Sequence, residues 1–214
     1  FAFMLVIVLA FVMLSEGPAL LKKLWGLYVY QSTMEYHRQL AGRMYNVVNG
    51  YVVGQLTVSA IGSTMMGLFV FILSFVFNVP GNLAIPAAAV YFILSLVPMF
   101  GSTIAATIIG LLLLLNDPAA AIVFIIGFII YQQIENNFIA PTIQSRKMEL
   151  TALWILAAVT IGLYVFGIAG GIISIPIAGI LKVLFDDYIG YAKKKRMKSE
   201  KPLTKLVKNV QPKV

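Results

Sequence analysis

The sequence predicts an all-α, polytopic helical membrane protein with broken or re-entrant helical segments and interfacial amphipathic helices. Three observations carry that prediction. Hydrophobic residues make up 60% of the 214 residues and charged residues only 11%, against roughly 25% charge in a soluble domain. Mean hydropathy is +0.93. The sixteen Lys and Arg residues fall in three patches: Lys22, Lys23, Arg38 and Arg43; Arg146 and Lys147; and Lys182 with the run from Lys193 to Lys213. The connections expected on the other side carry a single charge, Asp117. Basic loops on one side are the positive-inside pattern, which puts the C-terminus in the cytoplasm of a multi-pass protein.

Composition also excludes several classes. The formal net charge of +8 sits beside apolar spans, where it suits an anionic leaflet rather than a nucleic acid. With no cysteine, disulfides and thiolate metal sites are ruled out. The sequence offers no metal-ligand spacing, no Gly-rich phosphate loop and no nucleophile with a His partner. No metal, cofactor or enzymatic chemistry is expected.

A crossing needs about 20 apolar residues, and the elements follow in order. Residues 1–14 read as the tail of a span that begins upstream of Phe1, closed by Ser15-Glu16-Gly17-Pro18. Between 18 and 48, Leu20, Leu24 and Leu27 recur at helical spacing, as do Tyr36, Leu40, Met44 and Val47. They predict two short interfacial helices, with Trp25, Tyr28 and Tyr30 at headgroup level and His37 solvated. A span at 51–77 ends at Asn78-Val79-Pro80-Gly81-Asn82. Pro98 and Gly101 then break an apolar run into short pieces, 83–98 and 102–115, compatible with two tilted spans or a re-entrant hairpin. The turn Asn116-Asp117-Pro118 leads to a span at 119–139. A last pair, 151–165 and 168–185, joins at Gly167, with Lys182, Asp186 and Asp187 at the headgroups. Residues 1–190 form the membrane domain and 191–214 a basic cytoplasmic tail suited to anionic lipid.

Glu135 is the acid of most interest. It lies near the end of the 119–139 span, and polar groups on a membrane helix are costly and commonly functional. Gln132, Glu135 and Asn136 fall on one helical face at i, i+3 and i+4, with Gln133 and Asn137 beside them. A carboxylate among amides suits a proton, a sodium ion or a polar solute; solvation at the interface is the plainer alternative. At Pro98, Gly101 and Ser102 the helix must break, and broken membrane helices build many transporter sites, though an ordinary turn also fits. Gly167, Gly170 and Gly171, with Gly162, Ser174, Ala178 and the kink residue Pro176, read as small-residue helix packing. Gly50 and Gly54 repeat that spacing.

Taken together, ILSLVPMFGSTIAAT at 93–107, QQIENNFIAPTIQSRK at 132–147 and 151–187 ending GIAGGIISIPIAGILKVLFDD resemble the bacterial autoinducer-2 exporter family of PerM-like permeases. The resemblance implies longer proteins with two further spans before Phe1, set in the inner membrane as homo-oligomers. It also implies export of small solutes, with autoinducer-2 proposed for some members and sodium or lithium/proton antiport for others. Pro98, Gly101, Gln133, Glu135, Asn136, Asn137 and Pro141 occupy its motif positions. Where the family often has His-Pro, this chain has Thr151-Ala152.

The expected function is therefore secondary transport that exports a small hydrophilic solute, with Glu135 as the ion or proton site. Cation/proton antiport is the alternative. A membrane scaffold that binds partners through its basic tail is the reading from another class.

Overall fold

The computed structural model describes residues 2–98, 100–143 and 150–210, without the side chains of 2, 3, 152 and 194–210. All regular structure among them is helical: α1 (Ala2–Gly26), α2 (Gln31–Val76), a 3₁₀ turn (Gly81–Leu83) leading into α3 (Ala84–Ser95), α4 (Gly101–Leu114), α5 (Pro118–Ile134), a π-helical turn (Glu135–Ile139), α6 (Ala140–Ile143) and α7 (Ala152–Val210). Four segments are long and apolar enough to cross a membrane: Met4–Gly26, Gln31–Val76, Pro118–Ile143 and Leu153–Lys193. The expected Arg146/Lys147 patch lies outside the described residues.

The chain divides into two compact units, Phe1–Tyr45 and Asn46–Val214. In the first, α1 does not stop at Pro18 but continues to Gly26. The strong helix formers Ala19, Leu20, Leu21 and Lys22 outweigh the one hydrogen bond that proline removes. Trp25, Tyr28 and His37 then pack ring against ring, with centroids 6.0 and 5.4 Å apart. The separate interfacial helices expected within 18–48 are thus extensions of longer helices. No proline interrupts the 46 residues of α2, so its first part runs directly into its span.

In the second unit, the apolar core joins α2, α3, α4 and α5 through Met66, Val70, Tyr91, Ile109, Leu113 and Phe124, each at most 2% exposed. α3 and α4, of 12 and 14 residues, reverse between Ser95 and Gly101. A Cβ on Gly101 would collide with the Leu94 carbonyl oxygen, so glycine alone permits that approach. The second reversal is at Gly167, where φ is 61° and ψ −147°, a region open essentially to glycine. It brings Gly162 so close to Gly170 that a Cβ on either would strike the other's backbone. Gly170, Ser174 and Ala178 are all buried, whereas Gly167 faces no neighbour and serves through its backbone. Val159, Ile175, Tyr51 and Val97 form a second cluster, which packs this hairpin against α2 and the α3–α4 turn. Beyond it, α7 carries the Lys182–Asp186 pair at 3.2 Å and stays helical through the start of the basic tail to Val210.

Asp117 ties two connections together. Its carboxylate accepts the N–H groups of Ala119 and Ala120, capping α5 with Pro118 in the first turn. It also accepts the Asn78 N–H at 3.2 Å, beyond the end of α2. The Asn78 bond, then those from Ala119 and Ala120, holds the carboxyl below its ordinary value. A depressed folded-state value means the contribution is present above the usual carboxylate range, about pH 4, and is lost as pH falls through the lower folded value. Asp117→Ala should lower the unfolding midpoint at pH 7 and flatten its acid dependence. Asp117→Asn, a good cap without the charge, should keep most of the midpoint while losing the same pH dependence. Thermal unfolding in detergent from pH 7 to pH 3 checks both.

Candidate functional site

Several buried polar side chains of the second unit lie where α2, α3, α4 and α5 meet, while Ser174 is buried within the α7 hairpin. On α5 the inward stripe is Phe124, Phe128, Tyr131 and then Glu135, which opens the π-helical turn and is 8% exposed. π-helical turns are rare and frequent at functional sites. Tyr91 of α3, fully buried, donates its hydroxyl to Glu135 Oε2 at 3.4 Å. The Ser102 hydroxyl, at the start of α4, lies beside the Tyr91 phenol. On α2, Gly62 leaves the room these groups occupy. A Cβ there would stand 2.7 Å from the Tyr91 ring and 3.2 Å from both Glu135 Oε2 and the Tyr131 hydroxyl. Among the described residues no cation pairs with Glu135. A lone charge in such surroundings is costly, so this carboxyl is suited to work with a proton or a bound cation.

The depth of the cluster can be read from two helices. Gly62 precedes Val76 by roughly 14 residues and Glu135 follows Pro118 by roughly 17, about 21 and 26 Å at 1.5 Å per residue. Both distances run from the end where Asn78 and Asp117 meet. In a hydrocarbon layer of about 30 Å, that puts both groups in the half away from the Asp117 end, with Glu135 toward the opposite face.

The other candidates separate. Gln132 donates to Asn136 Oδ1 at 3.1 Å, and Asn137 to the Gln133 carbonyl at 2.7 Å. Gln133, Asn136, Asn137 and Pro141 are exposed, while Gln132 is half-buried. At 100° per residue, Glu135 and Asn136 flank Gln132 on opposite sides, and the bundle wall falls between them. Ser102 and Gly101 are buried and Pro98 half-buried, so the α3–α4 break reaches the cluster through Ser102 and Tyr91. Sequence reasoning did not single out Tyr91, Tyr131 or Gly62. It also passed over Gln55, which donates to the Ser95 carbonyl at 2.7 Å, and Ser59. The available signal was the run Gln55, Ser59 and Ser63 at i, i+4 and i+8 within an apolar span.

Four helices long and apolar enough to cross a membrane, with a carboxyl group buried in the second unit, define a multi-pass membrane protein. The chain belongs to the AI-2E family of transporters, whose family model matches residues 1–190. It is 31% identical over 192 residues to a Haemophilus influenzae protein named "Putative transport protein", covering 89% of this chain and 53% of that one. It is 28% identical over 139 residues to the "Putative transport protein YrrI" of Bacillus subtilis, covering 65% and 38%. The chain thus spans about half or less of the length of these relatives. No solved structure gives a significant match.

The crowding at Gly62 has a direct consequence. Gly62→Ala should push Tyr91 away from Glu135 and cost about 1–3 kcal/mol through overpacking. Gly42→Ala, in open space on α2, should gain about 0.5–1 kcal/mol from helix propensity. Unfolding midpoints in detergent should move in opposite directions, and equal responses would contradict the crowding.

Proposed function

We propose that this protein is a secondary transporter of the bacterial cytoplasmic membrane, C-terminus inside, that exports a small hydrophilic solute. Glu135 is its central binding group, with Tyr91 and Tyr131 orienting it. The observation that carries the reading is the burial of Glu135 at a four-helix junction, with a phenol hydroxyl as hydrogen-bond donor. Such a group exchanges a proton, a cation or a polar solute more readily than it supports a fold, because an apolar side chain would pack there without penalty. The two breaks, between Ser95 and Gly101 and at Gly167, supply points about which helical hairpins can rock. Self-association into a homo-oligomer and contact of the basic tail with anionic lipid belong to the same reading.

Sodium or lithium/proton antiport is the second mode, favoured by the lack of a fixed cation beside Glu135 among the described residues. Both modes are tested in proteoliposomes holding the full-length protein, with an imposed sodium or lithium gradient and a pH-sensitive dye inside. Antiport predicts cation-driven proton movement that Glu135→Gln abolishes. Solute export without antiport predicts no proton movement under that gradient, together with solute efflux that Glu135→Gln lowers by at least tenfold, about 1.4 kcal/mol. Unchanged flux of every kind in Glu135→Gln would remove Glu135 from the mechanism.

A further inference from the structure

We infer that Gln55 of α2 is a positioning residue for Glu135, holding the end of α3 so that Tyr91 stays within reach of the carboxyl. The Gln55 side-chain amide donates to the Ser95 carbonyl at 2.7 Å, and both residues are buried. This bond is shorter than the Asn78–Asp117 bond at 3.2 Å and the Tyr91–Glu135 bond at 3.4 Å. Ser95 is the last residue of α3, where helix carbonyls run out of partners within the helix and hydrocarbon supplies none. The same spot is where α4 meets α3: the Cα of Ser95 lies 3.0 Å from where a Gly101 Cβ would be. A hold on Ser95 therefore fixes the end of α3 and the start of α4 together, with Ser102 directly after.

The other contacts between α2 and α3 show why that hold matters. Gly67 lies against Ala88, and Gly62 against the ring of Tyr91. Both are steric contacts across a glycine; they set how closely the helices approach and carry no direction. Tyr51, one turn before Gln55, packs with Val97 in a cluster held by apolar contact. Gln55 adds the directional bond that sets the register of α3 along α2. Tyr91 stands one turn before Ser95, and its own bond to Glu135 is already long. A further shift of about 0.2 Å would end it. Interhelical hydrogen bonds in membranes add little net stability, whereas satisfied buried polar contacts specify one arrangement among several. An apolar side chain at position 55 would sit in the span with no polar group to satisfy, so the amide serves geometry more than stability.

The inference deepens the proposed function and rests on Glu135 as its binding group, yet it is tested without measuring flux. In vesicles holding the full-length protein, the rate at which a lipid-soluble carbodiimide modifies Glu135 is followed by mass spectrometry. Tyr91→Phe should raise that rate about threefold or more, because the carboxyl loses the bond that competes with reaction. Gln55→Met, matched in length but apolar, should raise it comparably, and the double variant should be no faster than Tyr91→Phe alone. Gln55→Asn, which keeps the amide but draws it back by one methylene, should behave as Gln55→Met does. Val58→Ala, on the same buried stretch of α2, should lower the unfolding midpoint and leave the labelling rate unchanged, as a merely structural role would. Labelling indifferent to both Gln55 variants, or effects of Gln55→Met and Tyr91→Phe that multiply, would overturn the inference. Labelling that depends on Gln55, with flux indifferent to Glu135, would sink the transport reading and leave the positioning role. Flux that depends on Glu135, with labelling indifferent to Gln55, would do the reverse.

Discussion

A carboxyl group inside a lipid-embedded bundle has to find all its partners within the protein, and the second unit is organised around that demand. Water does not solvate Glu135 from the bilayer, and no cation among the described residues neutralises it. What it has is the Tyr91 hydroxyl at 3.4 Å, with Tyr131 and Ser102 close by. Tyr91 comes from α3, Ser102 from the start of α4 and Tyr131 from α5. Each helix is therefore held to the others by a polar contact as well as by apolar packing. Lipid tails are as apolar as leucine, so hydrophobic burial alone gives such a bundle little specificity.

Closeness is obtained by leaving side chains out. Gly62 admits the Tyr91 ring, Gly67 lies against Ala88, and Gly127 accepts the Phe69 ring. Gly162 and Gly170 let the two limbs of α7 touch backbone to backbone. Where the chain must turn within apolar sequence, Gly101 and Gly167 provide conformations or approaches that a Cβ forbids. Glycines thus make the bundle tight and also sit where the chain reverses within it.

Much of this was legible in the sequence because the signals are local. The breaks at Pro98–Gly101 and Gly167 follow from residue types that end helices wherever they occur. The small-residue face at Gly170, Ser174 and Ala178 follows from helical spacing. The continuity of α1 past Pro18 and of α2 from Gln31 was not legible. A polar, amphipathic stretch reads alike whether it is a separate interfacial helix or the extension of a span. The site was half legible. Glu135 stood out as an acid in a span, but its donor Tyr91 is 44 positions away, and no periodicity reports a tertiary contact of that kind. The amides around it misled for a geometric reason: residues three and four apart share a face only within a wide arc, and the bundle wall cut through that arc.

The role of the second unit turns on Glu135 being enclosed within the bundle rather than solvated at the membrane surface. The most direct test is carbodiimide labelling of the full-length protein in vesicles, read by mass spectrometry of the peptide that contains Glu135. A lipid-soluble carbodiimide should modify Glu135, whereas a water-soluble one added from the Asp117 side should leave it untouched. Equal modification by the water-soluble reagent from that side, or none by the lipid-soluble one, would contradict the account.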